Sequence, residues 1–377
     1  MRIMPSREGF LDATLTGAPK AAKSVAVAVT AACFAALVLA AFATPGTRAG
    51  RTDFLSYYAG ARLAGTADLY SPPRVYAIQQ AYGDPGRVIA FTRLPYQAAL
   101  LWPLGQLPYR TANVIWQLLN LLAVAGFVRL WAGRLVFVPL CCLYFPMWVS
   151  FHSGQDVPLV LVSVAVGGFL LRKNRHFAAG LAFALCAVKF HLFLLLPLLI
   201  VGKSLWRFAA GFLAGALAEA AVSLWAGGGW DWPVRYSALL RLNESSEASA
   251  GQMLNLKGLL HGLPHEAAWL AVASAAVVWG TWRIIRRSRL EVAIGAMLCG
   301  GLLVGLHGYM VDAVLLLPLF VALTGRLGLE KTFLLSALVG FSTAAASSVS
   351  TAFVAQFTLA GLFVWLAILA PVGEGAS

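Results

Sequence analysis

Apolar runs of membrane-spanning length alternate with short, cation-bearing connections over almost the whole chain. The runs lie near 24–44, 110–131, 135–150, 157–172, 177–201, 204–226, 266–285, 290–306, 308–325, 332–349 and 352–370, with a shorter one at 94–107. A run of about 20 apolar residues predicts a helix across a bilayer, where a segment must satisfy its own backbone groups. The pattern predicts an all-α polytopic integral membrane protein with about 11–13 membrane segments. The first run is long enough to span and no small-residue cleavage motif follows it, so a retained helix is expected.

The segment 177–201 decides the topology. As one helix it would bury Lys189 near mid-bilayer, at a cost of about 3 kcal/mol or more, and would put Lys203 and Arg207 outside. Read as two short helices turning at "VKFHLF", it returns the chain to the cytoplasm. Cytoplasmic segments then hold Arg2, Arg7, Lys20 and Lys23, then Arg129 and Arg134, Arg172, Lys173 and Arg175, Lys203 and Arg207, the arginines at 283, 286, 287 and 289, and finally Arg326 and Lys331. This is the positive-inside pattern. The expected organisation is a cytoplasmic segment 1–23, a single membrane domain 24–371 and a cytoplasmic tail 372–377. The outer loops are about 45–93 and 227–265, with a short "FHSGQD" turn at 151–156. In the first loop "FLSYYAGARLAG" and "SPPRVYAIQQAYG" predict amphipathic helices lying on the membrane surface. "RLPYQAALLWPLGQLP", bounded by Pro95 and Pro108, predicts a helix too short to span, which suggests a shaped cavity.

Composition agrees with this frame: 60% of the 377 residues are apolar, 11% are charged and mean hydropathy is +0.78, which no soluble domain of this length accommodates. A net charge of +13 raises nucleic acid as a partner. The cations sit in short loops between spans and not on a basic soluble face, so anionic membrane lipids are expected instead and no nucleic acid. Cys33, Cys141, Cys142, Cys186 and Cys299 fall in apolar segments and read as small core residues. Neither a disulfide framework nor a metal site is expected, and no cofactor.

Four polar points interrupt the apolar pattern on the outer side. Asp53 directly follows the first span; it either caps the next helix or serves as a general base between water and lipid, with Arg51 or Arg62 tuning it. Lys189 and His191 occupy the break in 177–201, about 20 Å above its cytoplasmic end by helical rise. Glu219 is about as deep in the next span, so Lys189 either pairs with it or uses the broken helices to hold a phosphate. His307, Tyr309 and Asp312 interrupt the start of a late span, where a histidine is either a satisfied interfacial residue or a ligand. Gln155 and Asp156 either hydrogen-bond sugar hydroxyls or cap the helix after them.

The order of these features resembles glycosyltransferase family 87: an apolar span, "DFLSYYAGARLAGTADLY", "LPYQAALLWPLGQLP", a "GQ" opening a span, "GLAFALCAVKFHLFLLLPLLI" and late "HGYMVDAVLLLPL". The resemblance covers roughly residues 24 to 325. It implies a GT-C-type helical bundle with broken short helices, working in the bacterial inner (plasma) membrane with its active site outside. It also implies a polyprenyl-phosphate sugar donor, commonly mannosyl, and a glycolipid or glycan acceptor. Carried over, Asp53 is the general base and Lys189 the donor-phosphate ligand, with His191, His307 and Arg62 beside it. Tyr57, Tyr58, Gln155 and Asp156 are expected to meet the sugar or acceptor, as are Gln252, Tyr309 and Asp312. Two departures stand out: "KFHL" where members often read lysine, two residues, proline, and "AGQML" where many carry an "NQS"-like stretch. The alternative from another class is a transporter or flippase for a lipid-linked sugar or small solute, since carriers also build sites from broken helices. The absence of a visible repeat and the one-sided polar loops speak against it.

Overall fold

The computed structural model describes residues 20–43, 52–83, 88–244 and 250–369. Arg51, residues 1–19 of the expected cytoplasmic segment and the tail 372–377 lie outside them. The described residues form helices and no strand. Five helical stretches are long and apolar enough to cross a membrane: Tyr109–Ala132, His176–Phe193, Trp206–Ala226, Glu266–Arg287 and Met310–Leu327. Four shorter apolar helices accompany them, at Ala28–Ala43, Val157–Arg172, Leu290–Val304 and Ala352–Ile368.

In chain order, α1 (Lys20–Ala43) precedes α2 (Phe54–Leu63), α3 (Pro72–Gly83) and the short α4 (Pro95–Gly105). Then come α5 (Tyr109–Phe127), α6 (Phe137–Leu143), α7 (Phe145–Ser153), α8 (Val157–Arg172) and α9 (His176–Ala184). After α10 (Leu196–Gly202) and α11 (Trp206–Ala226), α12 (Trp232–Glu244) leads to α13 (Glu266–Arg287) and α14 (Leu290–Val304). The chain closes with α15 (Leu317–Leu327), α16 (Leu329–Ser342) and α17 (Ala352–Leu369).

Two breaks shape the bundle. Between α9 and α10 a 3₁₀ stretch, Leu185–Phe193, carries one non-helical residue, Lys189, at φ −126° and ψ 49°. Between α14 and α15 a second 3₁₀ stretch runs Met310–Leu316. Both run into the same string, "LLLPL", with Pro197 and Pro318 in the first turn of α10 and α15. Proline is tolerated there because the first-turn N–H groups have no intrahelical partner. The expected split of 177–201 is therefore present.

The expected span 135–150 is two short helices instead, parted at Tyr144, whose ψ of 112° is extended. Pro146 opens α7, and the Tyr144 hydroxyl donates to the Ala313 carbonyl at 3.0 Å. The break is thus pinned to the second 3₁₀ stretch. A further difference concerns α2, expected on the membrane surface: every side chain from Phe54 to Ala61 is buried. Phe54, Tyr57, Tyr58, Leu69, Phe91 and Trp116 belong to a second apolar core, separate from the main one, and Leu239 of α12 joins it. Aromatic density, more than amphipathicity, buries this loop. Elsewhere α9 and α11 approach closely at Gly180 and Gly211, where an added methyl group would strike the facing backbone.

Candidate polar site at the junction of the two cores

The turn after α7 fixes the site. Gly154 adopts a left-handed φ of 67°, which a side chain rarely tolerates, and a methyl group there would press on Thr52. Its carbonyl accepts the Trp116 indole N–H at 2.9 Å. The Asp53 backbone N–H donates to the Ser153 carbonyl at 2.7 Å. These bonds bring the residue before α2 against Gln155 and Asp156.

Neither aspartate caps its helix. Asp53 Oδ2 accepts a hydrogen bond from Gln155 Nε2. Gln155 Oε1 in turn accepts from the Tyr57 hydroxyl at 3.2 Å and lies 3.5 Å from an Arg93 nitrogen, so donors on the oxygen turn the amide nitrogen toward Asp53. Arg93 also donates to the Tyr57 oxygen at 3.0 Å. It grips Asp156 with two nitrogens, Nε to Oδ2 at 2.8 Å and Nη2 to Oδ1 at 3.2 Å, the strong fork geometry of guanidinium with carboxylate. Gln97 Nε2 completes Asp156 at 3.0 Å.

The network continues into the bundle. Lys189 Nζ lies 2.7 Å from Asp312 Oδ1 and 3.9 Å from Asp156 Oδ1. Asp312 Oδ2 accepts the Tyr309 backbone N–H at 2.9 Å. Both helix breaks and the turn after α7 thus meet in one group of three carboxylates and two cations, in which Asp156, Lys189 and Asp312 are buried and Asp53 and Arg93 partly so. Lys189 does not pair with Glu219. Glu219 sits on an uninterrupted helix whose Ser223 receives the Tyr96 N–H of α4, and its buried Oε1 has no hydrogen-bond partner. The irregular backbone at Lys189 carries its ammonium to Asp312 instead.

His191 and His307 face each other edge to face with ring centroids 6.2 Å apart, and His307 stacks on Tyr309 at 6.5 Å. Arg62 stands outside this group: its Nη1 donates to the hydroxyls of Tyr58 at 3.3 Å and Tyr82 at 3.2 Å. Gln252 is tied to the Ser347 carbonyl at 3.0 Å, in an outer turn before α17. The sequence reading missed Arg93 and Gln97. Their signal is present in "RLPYQ": Gln97 is the one amide in the otherwise apolar first two turns of α4, and Arg93 stands just before the extended Leu94 that opens it.

Asp53 and Asp156 are driven apart electrostatically. Burial pushes Asp53 above the ordinary carboxylate range, assisted by the Asp156 charge, and the Gln155 hydrogen bond with Arg93 and Lys189 only partly oppose this. Burial works upward on Asp156 too, but the charges of Arg93 and Lys189 and the bonds from Arg93 and Gln97 outweigh it and bring it down to about 2. Within one group, then, one carboxyl is raised and its neighbour lowered; two neighbouring acids set apart in this way can take different chemical parts. Among the described residues no three His, Cys, Asp or Glu side chains converge as a metal site.

The family model of glycosyltransferase family 87 matches residues 91–318, well over half the chain. The match takes in Arg93, Gln155, Asp156, Lys189, His307 and Asp312 and begins after Asp53. No curated protein and no solved structure matches.

Proposed function

This chain belongs to glycosyltransferase family 87 and is a membrane glycosyltransferase, and on that ground we propose that it moves a hexosyl, most simply mannosyl, residue from a polyprenyl-phosphate sugar to an acceptor hydroxyl. The reaction takes place on the extracytoplasmic face of a bacterial plasma membrane, with Asp53 as general base. The observation that carries the reading is the geometry at Asp53: Gln155 ties its carboxylate into one hydrogen-bonded group with Arg93 and Asp156, where burial raises the Asp53 carboxyl and Arg93 and Lys189 lower that of Asp156. A hydroxyl is a poor nucleophile until a base within hydrogen-bond reach takes its proton.

In the proposed step the acceptor O–H gives its proton to Asp53 as its oxygen bonds to the anomeric carbon. The bond from that carbon to the phosphate oxygen breaks, and its electron pair leaves with the polyprenyl phosphate. A single displacement inverts the anomeric carbon. The Lys189 ammonium has three donors, one of which goes to Asp312; Asp156, at 3.9 Å, lies beyond hydrogen-bond reach. Its remaining donors, with His191 and His307 beside it, suit the charge that develops on the leaving phosphate. Asp312 and Asp156 hold the ammonium in position.

The test is transfer by purified protein in liposomes, comparing labelled polyprenyl-phosphate mannose with a nucleotide-linked mannose. Transfer from the lipid donor alone, with the product anomer opposite to the donor's, is expected. Transfer from the nucleotide sugar alone, or retention of configuration, contradicts the reading.

A further inference from the structure

We propose that Arg62 and Tyr82 form a distal acceptor subsite for an extended glycan, separate from the Asp53 group and serving sugar units beyond the one that is glycosylated. The proposal rests on the acceptor-hydroxyl reading above and names the substrate class it requires. Arg62 is exposed on α2, and its hydrogen-bond partners among the described residues are two phenol oxygens and no carboxylate. A guanidinium spends few of its five donors on two such contacts. Tyr82, at the end of α3, exposes 38% of its surface. Its ring is braced edge-on against Tyr58 at 5.3 Å and tilted on Tyr109 at 5.7 Å, and Tyr58 is itself fixed through its hydroxyl to the Leu107 carbonyl at 2.7 Å.

A rigid, partly exposed ring beside a multidonor cation suits a sugar, which offers an apolar face for stacking and hydroxyls for hydrogen bonding. Pre-bracing keeps the entropy cost of binding low. The rings behind Tyr82 are buried and brace it against the core that also holds the partner of the base. Tyr109 stacks on Phe54 at 5.9 Å, Phe54 on Trp116 at 5.2 Å, and Trp116 meets Tyr57 at 5.6 Å, and Tyr57 bonds Gln155, the partner of Asp53. Arg62 lies about 13 Å along α2 from Asp53 by helical rise. A monosaccharide or simple alcohol at Asp53 does not reach it; a glycan of several units does. This reassigns Arg62 from the donor phosphate to the acceptor.

Saturation-transfer NMR on the purified full-length protein, without donor, tests it. The probes are trisaccharides of manno, gluco and galacto configuration and their methyl monosaccharides. At least one trisaccharide binds, roughly fivefold or more tighter than its monosaccharide; Tyr82→Leu and Arg62→Ala abolish that preference, and Tyr82→Trp, which restores a stacking ring, retains it. Absence of binding by every trisaccharide overturns the proposal, as does an unchanged preference in Tyr82→Leu and Arg62→Ala. Equal loss in Tyr82→Leu and Tyr82→Trp also overturns it, because the ring would then serve packing alone. The readout needs no turnover, so failure of the glycosyl-transfer reading, scored with labelled donor, is distinguishable from failure here.

Discussion

The apolar pattern of the sequence puts Lys189 and Glu219 at similar depth on neighbouring segments, and the structure treats them in opposite ways. Lys189 is buried between Asp312 and Asp156; Glu219 keeps a buried oxygen without a hydrogen-bond partner. The difference comes from the backbone. At φ −126° and ψ 49° Lys189 leaves the helix, and its side chain crosses to the second break. Glu219 belongs to the continuous α11 and meets only what that helix face meets. Depth in the apolar pattern marks a polar residue, and a broken backbone gives it partners.

Truncation breaks this comparison most sharply. Lys189→Met leaves Asp312 and Asp156 buried with one cation fewer, and is expected to cost about 3–5 kcal/mol, read as a lower midpoint in thermal unfolding in detergent. Adding Asp312→Leu removes one stranded charge, so the double variant recovers roughly 1 kcal/mol or more of the loss. A double variant no more stable than Lys189→Met would show that the two breaks are not joined by this pair.

The next effect concerns Asp53 and Asp156, the same contrast in the turn after α7. As the proposed base Asp53 works only when ionised, and its carboxyl is raised, so transfer is expected to fall as pH drops through that raised value. The Gln155 bond favours the ionised form and opposes the rise. Gln155→Ala therefore moves the acid limb of the pH–rate profile upward. A limb that stays in place or moves down contradicts the role given to Gln155. The smallest effect is expected at Glu219: Glu219→Gln changes stability by less than about 1 kcal/mol, and a loss as large as that of Lys189→Met would mean that Glu219 has a partner of equal weight.

Much of the fold was legible in the apolar pattern. The break at "VKFHLF" followed from the cost of burying Lys189 in one long helix, and α4 from its bounding prolines. The second break, the split at Tyr144 and the burial of α2 were not. Tyr144 is held by a hydroxyl bond to Ala313, far away in sequence, and α2 is buried by rings from α3 and α5 that no local periodicity records. At the site, Asp53, Gln155, Asp156, Lys189 and Asp312 were each visible as polar interruptions. Their pairing was not, because each bond joins segments that only the fold brings together, and nearness in depth suggested Glu219 for Lys189. Arg93 was passed over because an arginine in an outer loop reads as solvated until its fork on Asp156 is seen.

The central claim is that Asp53 takes the acceptor's proton. Asp53→Asn keeps the size of the side chain and an oxygen for the Gln155 hydrogen bond, and removes the base. In one preparation, binding of labelled polyprenyl-phosphate mannose and its transfer to acceptor are to be measured side by side. The account predicts donor binding within about twofold of wild type and transfer slower by roughly 10²–10⁴; transfer at the wild-type rate in a folded, donor-binding Asp53→Asn protein would contradict it.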